Sequence, residues 1–68
     1  MKQRVTYNEP HIHLSGVITQ THRIRVDGKL KTVYNVKWDG NPTSVPMMWR
    51  DEDGSNKRGY SKDALVFM

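Results

Sequence analysis

The chain has 68 residues, so we expect a single small domain over residues 1–68. It contains no cysteine, which excludes disulfides and thiolate metal sites and suits the reducing cytoplasm, where we expect the protein to lie. No apolar run approaches the ~20 residues of a membrane span. The basic start of the chain leads into no apolar segment, so we expect no signal peptide. The formal net charge of +4 favours polyanionic partners.

The first residues alternate as a half-buried β-strand does, with Val5 and Tyr7 on the inward side. Pro10 ends this strand, because proline lacks a backbone donor and restricts the residue before it. Residues 11–15 are predicted to form a connecting loop, and the next strand begins at Gly16.

Residues 16–38 are predicted to form a long β-hairpin whose two faces differ in chemistry. Side chains that are two positions apart in a strand share a face. The apolar set is Ile18, Ile24, Val26, Leu30, Tyr34, Val36 and Trp38, and the basic set is Arg23, Arg25, Lys29, Lys31 and Lys37.

The register of this hairpin depends on the length of its turn. A two-residue turn of Asp27 and Gly28 would pair Ile24 with Lys31, which places charge on the apolar face. A three-residue turn that also includes Val26 keeps the faces separate and puts glycine at the left-handed position. We therefore predict the pairs Ile24–Leu30, His22–Thr32, Gln20–Tyr34 and Ile18–Val36.

The remaining elements are short. Residues 39–42 are a turn signal, and residues 45–49 are predicted to be an edge strand because they contain a proline. Residues 50–59 are a polar loop, residues 61–63 a single helical turn, and residues 64–68 the last strand. The side chains expected to point inward are Val45, Met47, Trp49, Leu65 and Phe67.

Five short strands in so small a chain must curl to bury a shared face. Three segments resemble the SH3-like barrel superfold, with its KOW, Tudor and chromo-barrel branches. They are the strand opening Gly16-Val17-Ile18, the strand end and turn over residues 36–40, and the closing segment over residues 60–65. The resemblance implies an all-β, five-stranded SH3-like barrel with one short helical turn before the last strand. The superfold hosts many functions, so the site is a separate question.

The basic face of the hairpin predicts binding to the backbone of nucleic acid, either DNA or RNA. Cationic side chains neutralise phosphates and release counterions, and five contacts give a log–log salt slope of about −4. The face carries no aromatic side chain, which favours duplex or backbone contacts over stacking on single-stranded bases. A solvated face that discourages aggregation is the simpler interpretation. The predicted contacts are Arg23, Arg25, Lys29, Lys31 and Lys37.

The alternative function is a protein-interaction module that modulates a larger enzyme or assembly. Tyr34 and Trp38 are expected to lie in the core. Met48, Trp49 and Tyr60 are the candidates for an exposed patch of aromatic and methionine side chains. The predicted edge strand would allow either a monomer or a weak dimer.

No arrangement of residues indicates catalysis, a resident metal or a cofactor. His11 and His13 lie on one side of an extended segment, but the chain offers few further ligands. The acidic run Asp51–Gly54 resembles a calcium loop, yet Lys62 stands where a glutamate is required, so we interpret the run as a solvated turn. No nucleophile has a matched base. We therefore expect a binding protein and not an enzyme.

Overall fold

The computed structural model describes residues 2–68, whose strands form one antiparallel sheet of six strands. The predicted all-β class is confirmed, with six strands rather than the predicted five. A 3₁₀ turn at Lys62–Ala64 precedes the last strand, as predicted. The strands are β1 (Arg4–Tyr7), β2 (Ser15–Val26), β3 (Lys29–Trp38), β4 (Trp49–Arg50), β5 (Arg58–Ser61) and β6 (Leu65–Phe67).

The additional strand is β5, which pairs with both β3 and β4. Its sequence has little strand character because Gly59 interrupts it. That glycine is buried, and a Cβ atom there would lie 2.8 Å from the backbone nitrogen of Tyr34 on β3. The predicted strand over residues 45–49 is reduced to Trp49–Arg50. β5 thus lies between β3 and the shortened strand β4.

The strand order is β4-β5-β3-β2-β1-β6. The sheet curls, so that strands that are not neighbours in this order contact the same core. Val5, Trp38, Tyr60 and Leu65 pack together from β1, β3, β5 and β6. The ring centroids of Trp38 and Tyr60 are 5.5 Å apart in an edge-to-face arrangement, and Tyr7 packs edge-on against both. Strands from distant positions in the sheet therefore supply one aromatic core.

The turn between β2 and β3 contains two residues, Asp27 and Gly28, and not the predicted three. Both have positive φ angles, 52° and 75°, as a type I′ hairpin turn requires. Ile24 consequently lies opposite Lys31. The predicted pairs Ile24–Leu30, His22–Thr32 and Gln20–Tyr34 are wrong, each displaced by one residue.

A β-bulge between Ile18 and Gln20 restores the predicted pairing of Ile18 with Val36. The bulge adds one residue to β2, so the side-chain alternation changes sides there. Ile18 and Val36, which are near the core, therefore lie on the same side of the hairpin as Arg23 and Arg25, which are near the turn. The predicted division into one apolar face and one basic face is wrong.

The opposite side of the hairpin buries a second apolar pair, Ile24 and Val33, which are 1% and 0% exposed. Lys31 belongs to this side, and its ammonium group lies 4.6 Å from the centre of the Trp49 ring. Leu30, predicted to point inward, is 64% exposed on the arginine side. Within residues 2–68, no helix has the length and hydropathy needed to cross a bilayer.

Candidate nucleic-acid interface on the hairpin

The five predicted cationic contacts are divided between the two sides of the β2–β3 hairpin. Cross-strand pairing places Arg23 opposite Thr32 and Arg25 opposite Leu30, whereas Lys31 lies opposite Ile24. Lys29 and Lys37 share the side of Lys31 by the alternation of β3. We define the arginine face as Thr21, Arg23, Arg25, Leu30 and Thr32, all of which are exposed.

Two aromatic side chains lie at the base of the arginine face. Tyr34 pairs with Thr21, so it continues the same side of the hairpin toward the core. Its ring packs edge-on against Phe67 of β6, with centroids 5.4 Å apart. Phe67 is 38% exposed. The prediction that the basic surface lacks aromatic side chains is therefore wrong, because the displaced register brings arginine and tyrosine onto one side.

An acidic turn holds the tip of the hairpin in place. The Glu52 carboxylate accepts hydrogen bonds from the backbone N–H groups of Asp27 and Gly28, each at 2.9 Å. The backbone N–H of Glu52 donates to the carbonyl of Arg25 at 3.0 Å. The Arg25 guanidinium also lies 3.5 Å from the Asp53 carboxylate. The run is a largely exposed turn, as predicted, and its hydrogen bonds also hold the turn of the hairpin.

The acidic turn also reduces the electrostatic potential at the tip. Coulomb attraction between an anionic ligand and the tip cations is offset by repulsion from the tip carboxylates. The exposed ion pair of Arg25 itself contributes little to stability, because solvent screens it. The tip of the hairpin brings four basic residues of β2 and β3 together with four acidic residues of the hairpin turn and the acidic turn. The basic residues are Arg23, Arg25, Lys29 and Lys31, and the acidic residues are Asp27, Asp51, Glu52 and Asp53.

Asp51 remains ionised because its oxygens are occupied by donors from its own loop. The backbone N–H of Asp53 donates to Oδ1 at 3.0 Å, and the Ser55 hydroxyl donates to Oδ2 at 2.8 Å. These two hydrogen bonds lower the pKa of Asp51 from its ordinary value. The carboxylate organises the loop over residues 51–57.

Met48, Trp49 and Tyr60, the residues predicted for protein binding, do not form one exposed surface. Tyr60 is 2% exposed and donates its hydroxyl to the carbonyl of Pro46 at 2.9 Å, so its predicted exposure is wrong. Burial raises the pKa of Tyr60. Met48 packs against the core, whereas Trp49 is 47% exposed. Met47, which was expected to point inward, is 94% exposed.

The apolar side chains of this segment therefore point the opposite way from the prediction. Val45 and Met47 are exposed together with Trp49, and we call these three residues the apolar strip. Pro46 and Met48 occupy the less exposed positions between them. The strand period predicted the alternation correctly but not which set faces the core.

Residues 11–14 meet residues 44–46 at a shallow cleft. His11 and His13 are exposed there. In the part of the chain from Lys2 to Met68, no three His, Asp or Glu side chains lie together in an arrangement that would hold a metal ion. No family model, curated protein or solved structure matches the chain.

Proposed function

We propose that this protein is a small SH3-like barrel that binds the backbone of nucleic acid through its β2–β3 hairpin. The strand order, the curvature of the sheet around one aromatic core and the 3₁₀ turn before β6 support the barrel assignment. The excess of basic residues, with a net charge of +4, supports a polyanionic partner. The absence of cysteine suits a cytoplasmic location.

The exposed arginine face is the observation that carries the proposal. Arg23 forms no ion pair with any carboxylate in residues 2–68, so its guanidinium is available to a ligand. Guanidinium groups bind phosphate oxygens bidentately, and the hydroxyls of Thr21 and Thr32 donate hydrogen bonds to phosphate or sugar. The Tyr34–Phe67 pair at the base of this face offers ring edges against which a base packs.

The division of the cations changes the expected salt dependence. One nucleic-acid strand that lies on the arginine face does not contact lysines on the reverse side at the same time. Two phosphate contacts, from Arg23 and Arg25, give a log–log salt slope of about −2, whereas five contacts give about −4 or steeper. Lys29, Lys31 and Lys37 are then contacts of a second strand or of none.

The test measures binding to labelled single-stranded and duplex DNA and RNA by fluorescence anisotropy over a series of salt concentrations. The variant Arg23→Gln/Arg25→Gln is compared with Lys29→Gln/Lys37→Gln, which loses the same charge from the reverse side. We expect the arginine variant to weaken binding at least about tenfold and to remove most of the salt dependence. Equal losses in the two variants, or binding that ignores salt in the wild type, would contradict the proposal.

A protein-interaction function is the second candidate, and the exposure of the apolar strip favours it. A methionine that is 94% exposed beside a half-exposed tryptophan offers adaptable apolar contact area. In this case Met47→Ser and Trp49→Ala abolish partner binding, and Arg23→Gln/Arg25→Gln leaves it unchanged. Co-purification from the native host, followed by analysis of both protein and nucleic acid, distinguishes the two functions.

A further inference from the structure

The β4–β5 hairpin and its loop form an open surface cavity of about 300 Å³ that lies outside both the arginine face and the apolar strip. Its cationic lining consists of Arg50 on β4, Arg58 at the start of β5 and Lys57 immediately before β5. The rest of the lining comes from the loop over residues 54–56 and from Asp51. We call this cavity the basic pocket.

Arg50 and Arg58 lie directly opposite each other in the antiparallel pair of β4 and β5. Like charges in this position destabilise a sheet, because the two side chains project from the same face at close range. β4 and β5 form one of the shortest pairings of the sheet, so few other contacts offset the repulsion. An anion held between the two guanidinium groups would turn this repulsion into a pair of favourable interactions.

The one carboxylate in the lining does not neutralise these cations. Asp51 accepts hydrogen bonds from the backbone of Asp53 and the hydroxyl of Ser55, and its Oδ1 also lies 3.4 Å from the backbone nitrogen of Arg25. Within residues 2–68, neither Arg50 nor Arg58 forms an ion pair with it or with any other carboxylate. The basic pocket therefore has an excess of positive charge.

We infer that the basic pocket binds a phosphate group carried by a nucleotide. Two arginines in opposition provide planar forks that match the oxygens of a phosphate, and Lys57 adds a third, mobile charge. A cavity of about 300 Å³ exceeds the volume of a bare phosphate, so part of the attached nucleoside is accommodated as well. The phosphate belongs either to a free nucleotide, as a monoester, or to a nucleic-acid chain, as a diester. The lining of the basic pocket shares no residue with the arginine face, so this inference does not depend on the function proposed for that face.

The test is a titration of isotopically labelled protein, followed by the amide NMR signals of residues 54–58. The probes are inorganic phosphate, thymidine 5′-monophosphate and the dinucleotide TpT, each at constant ionic strength maintained with sodium chloride. We expect saturable shifts, with Arg50→Gln/Arg58→Gln weakening binding at least about tenfold and Lys57→Gln several-fold. Lys29→Gln/Lys37→Gln is the matched control, and its affinity should stay within about twofold of the wild type because neither lysine lines the pocket.

The relative affinities of the probes identify the source of the phosphate. Tighter binding of thymidine 5′-monophosphate than of TpT supports a free nucleotide, and the reverse order supports a nucleic-acid chain. Shifts that do not saturate, or saturable shifts that persist unchanged in both Arg50→Gln/Arg58→Gln and Lys57→Gln, would overturn the inference. Since Lys57 lies before β5, its variant tests the pocket even if the double variant disturbs the strand pair.

Discussion

Replacement of Gly59 by alanine tests the contact that brings β5 against β3. A Cβ atom at this position would lie 2.8 Å from both the nitrogen and the oxygen of Tyr34 and 2.9 Å from its carbonyl carbon. These are backbone atoms of a strand that pairs on both of its edges, so they cannot move aside as the end of a side chain does. Gly59 does not have a positive φ angle, and the cost of the substitution is therefore steric.

Forcing a methyl group into a packed region costs about 1–3 kcal/mol, and we expect Gly59→Ala to lie at or above the upper end of this range. In a domain of this size each kcal/mol lowers Tm by about 4–8 °C, so a fall in Tm of about 10 °C or more is expected. The assay is thermal and urea denaturation followed by circular dichroism.

The control for this substitution is Gly54→Ala. Gly54 has a φ angle of 82°, but no atom lies within 4 Å of the position of its Cβ. Alanine at position 54 should therefore lower the stability by about 1 kcal/mol, the cost of a left-handed conformation for a residue with a Cβ atom. If Gly59→Ala costs no more than Gly54→Ala, β5 does not approach β3 as described, and the curvature of the sheet needs another explanation.

Three further substitutions test the interactions that hold the loops. Glu52→Gln should destabilise the protein by about 1 kcal/mol in urea denaturation, because the turn amides lose an ionised acceptor; an unchanged midpoint would contradict the role of this carboxylate. Burial raises the pKa of Tyr60, so wild-type stability should be lost as the pH rises above 10.0. Tyr60→Phe should remove that alkaline loss and cost about 1 kcal/mol at neutral pH through the hydrogen bond to Pro46; an alkaline loss that persists in the variant would assign it to another group. The pKa of Asp51 is lowered in the folded protein, so the ionised carboxylate stabilises the fold above pH 3.8. This stabilisation should be lost as the pH falls further. The Asp51→Asn variant should therefore lose less stability than the wild type when the pH is lowered. Identical dependence of stability on pH in the two proteins would contradict a role for the Asp51 carboxylate.

The elements defined by local signals were predictable from the sequence. Val5 and Leu65 are buried as their alternation indicated, and the 3₁₀ turn before β6 forms where it was expected. Proline and glycine marked the ends of β1 and β3 correctly. These features depend on neighbouring residues alone, which is why a single sequence contains enough information to predict them.

The register of the hairpin was predicted wrongly because the prediction assumed unbroken side-chain alternation along β2, which the two-residue Asp27-Gly28 turn did not fit. Both turn amides of Asp27 and Gly28 donate to Glu52, which lies in a different loop of the chain. With the two-residue turn alone, Ile18 would not lie opposite Val36. The bulge after Ile18 adds one residue to β2 and restores that pair. A bulge has no reliable sequence signature when no glycine marks it.

The same shift explains why the predicted basic face is divided. Sequence alternation correctly indicated that Arg23 and Arg25 share one side, and that Lys29 and Lys31 share one side. Whether the two pairs coincide depends only on the number of residues in the turn. A change of one residue therefore separates the arginines from the lysines and brings Tyr34 to the side of the arginines.

The most direct test of the hairpin interface is NMR mapping of a bound oligonucleotide on the wild-type protein. We expect the largest amide shifts on Thr21, Arg23, Arg25 and Thr32, with small changes at Lys29 and Lys37. Equal shifts on the arginines and the lysines, or shifts confined to the lysine side, would contradict this interface.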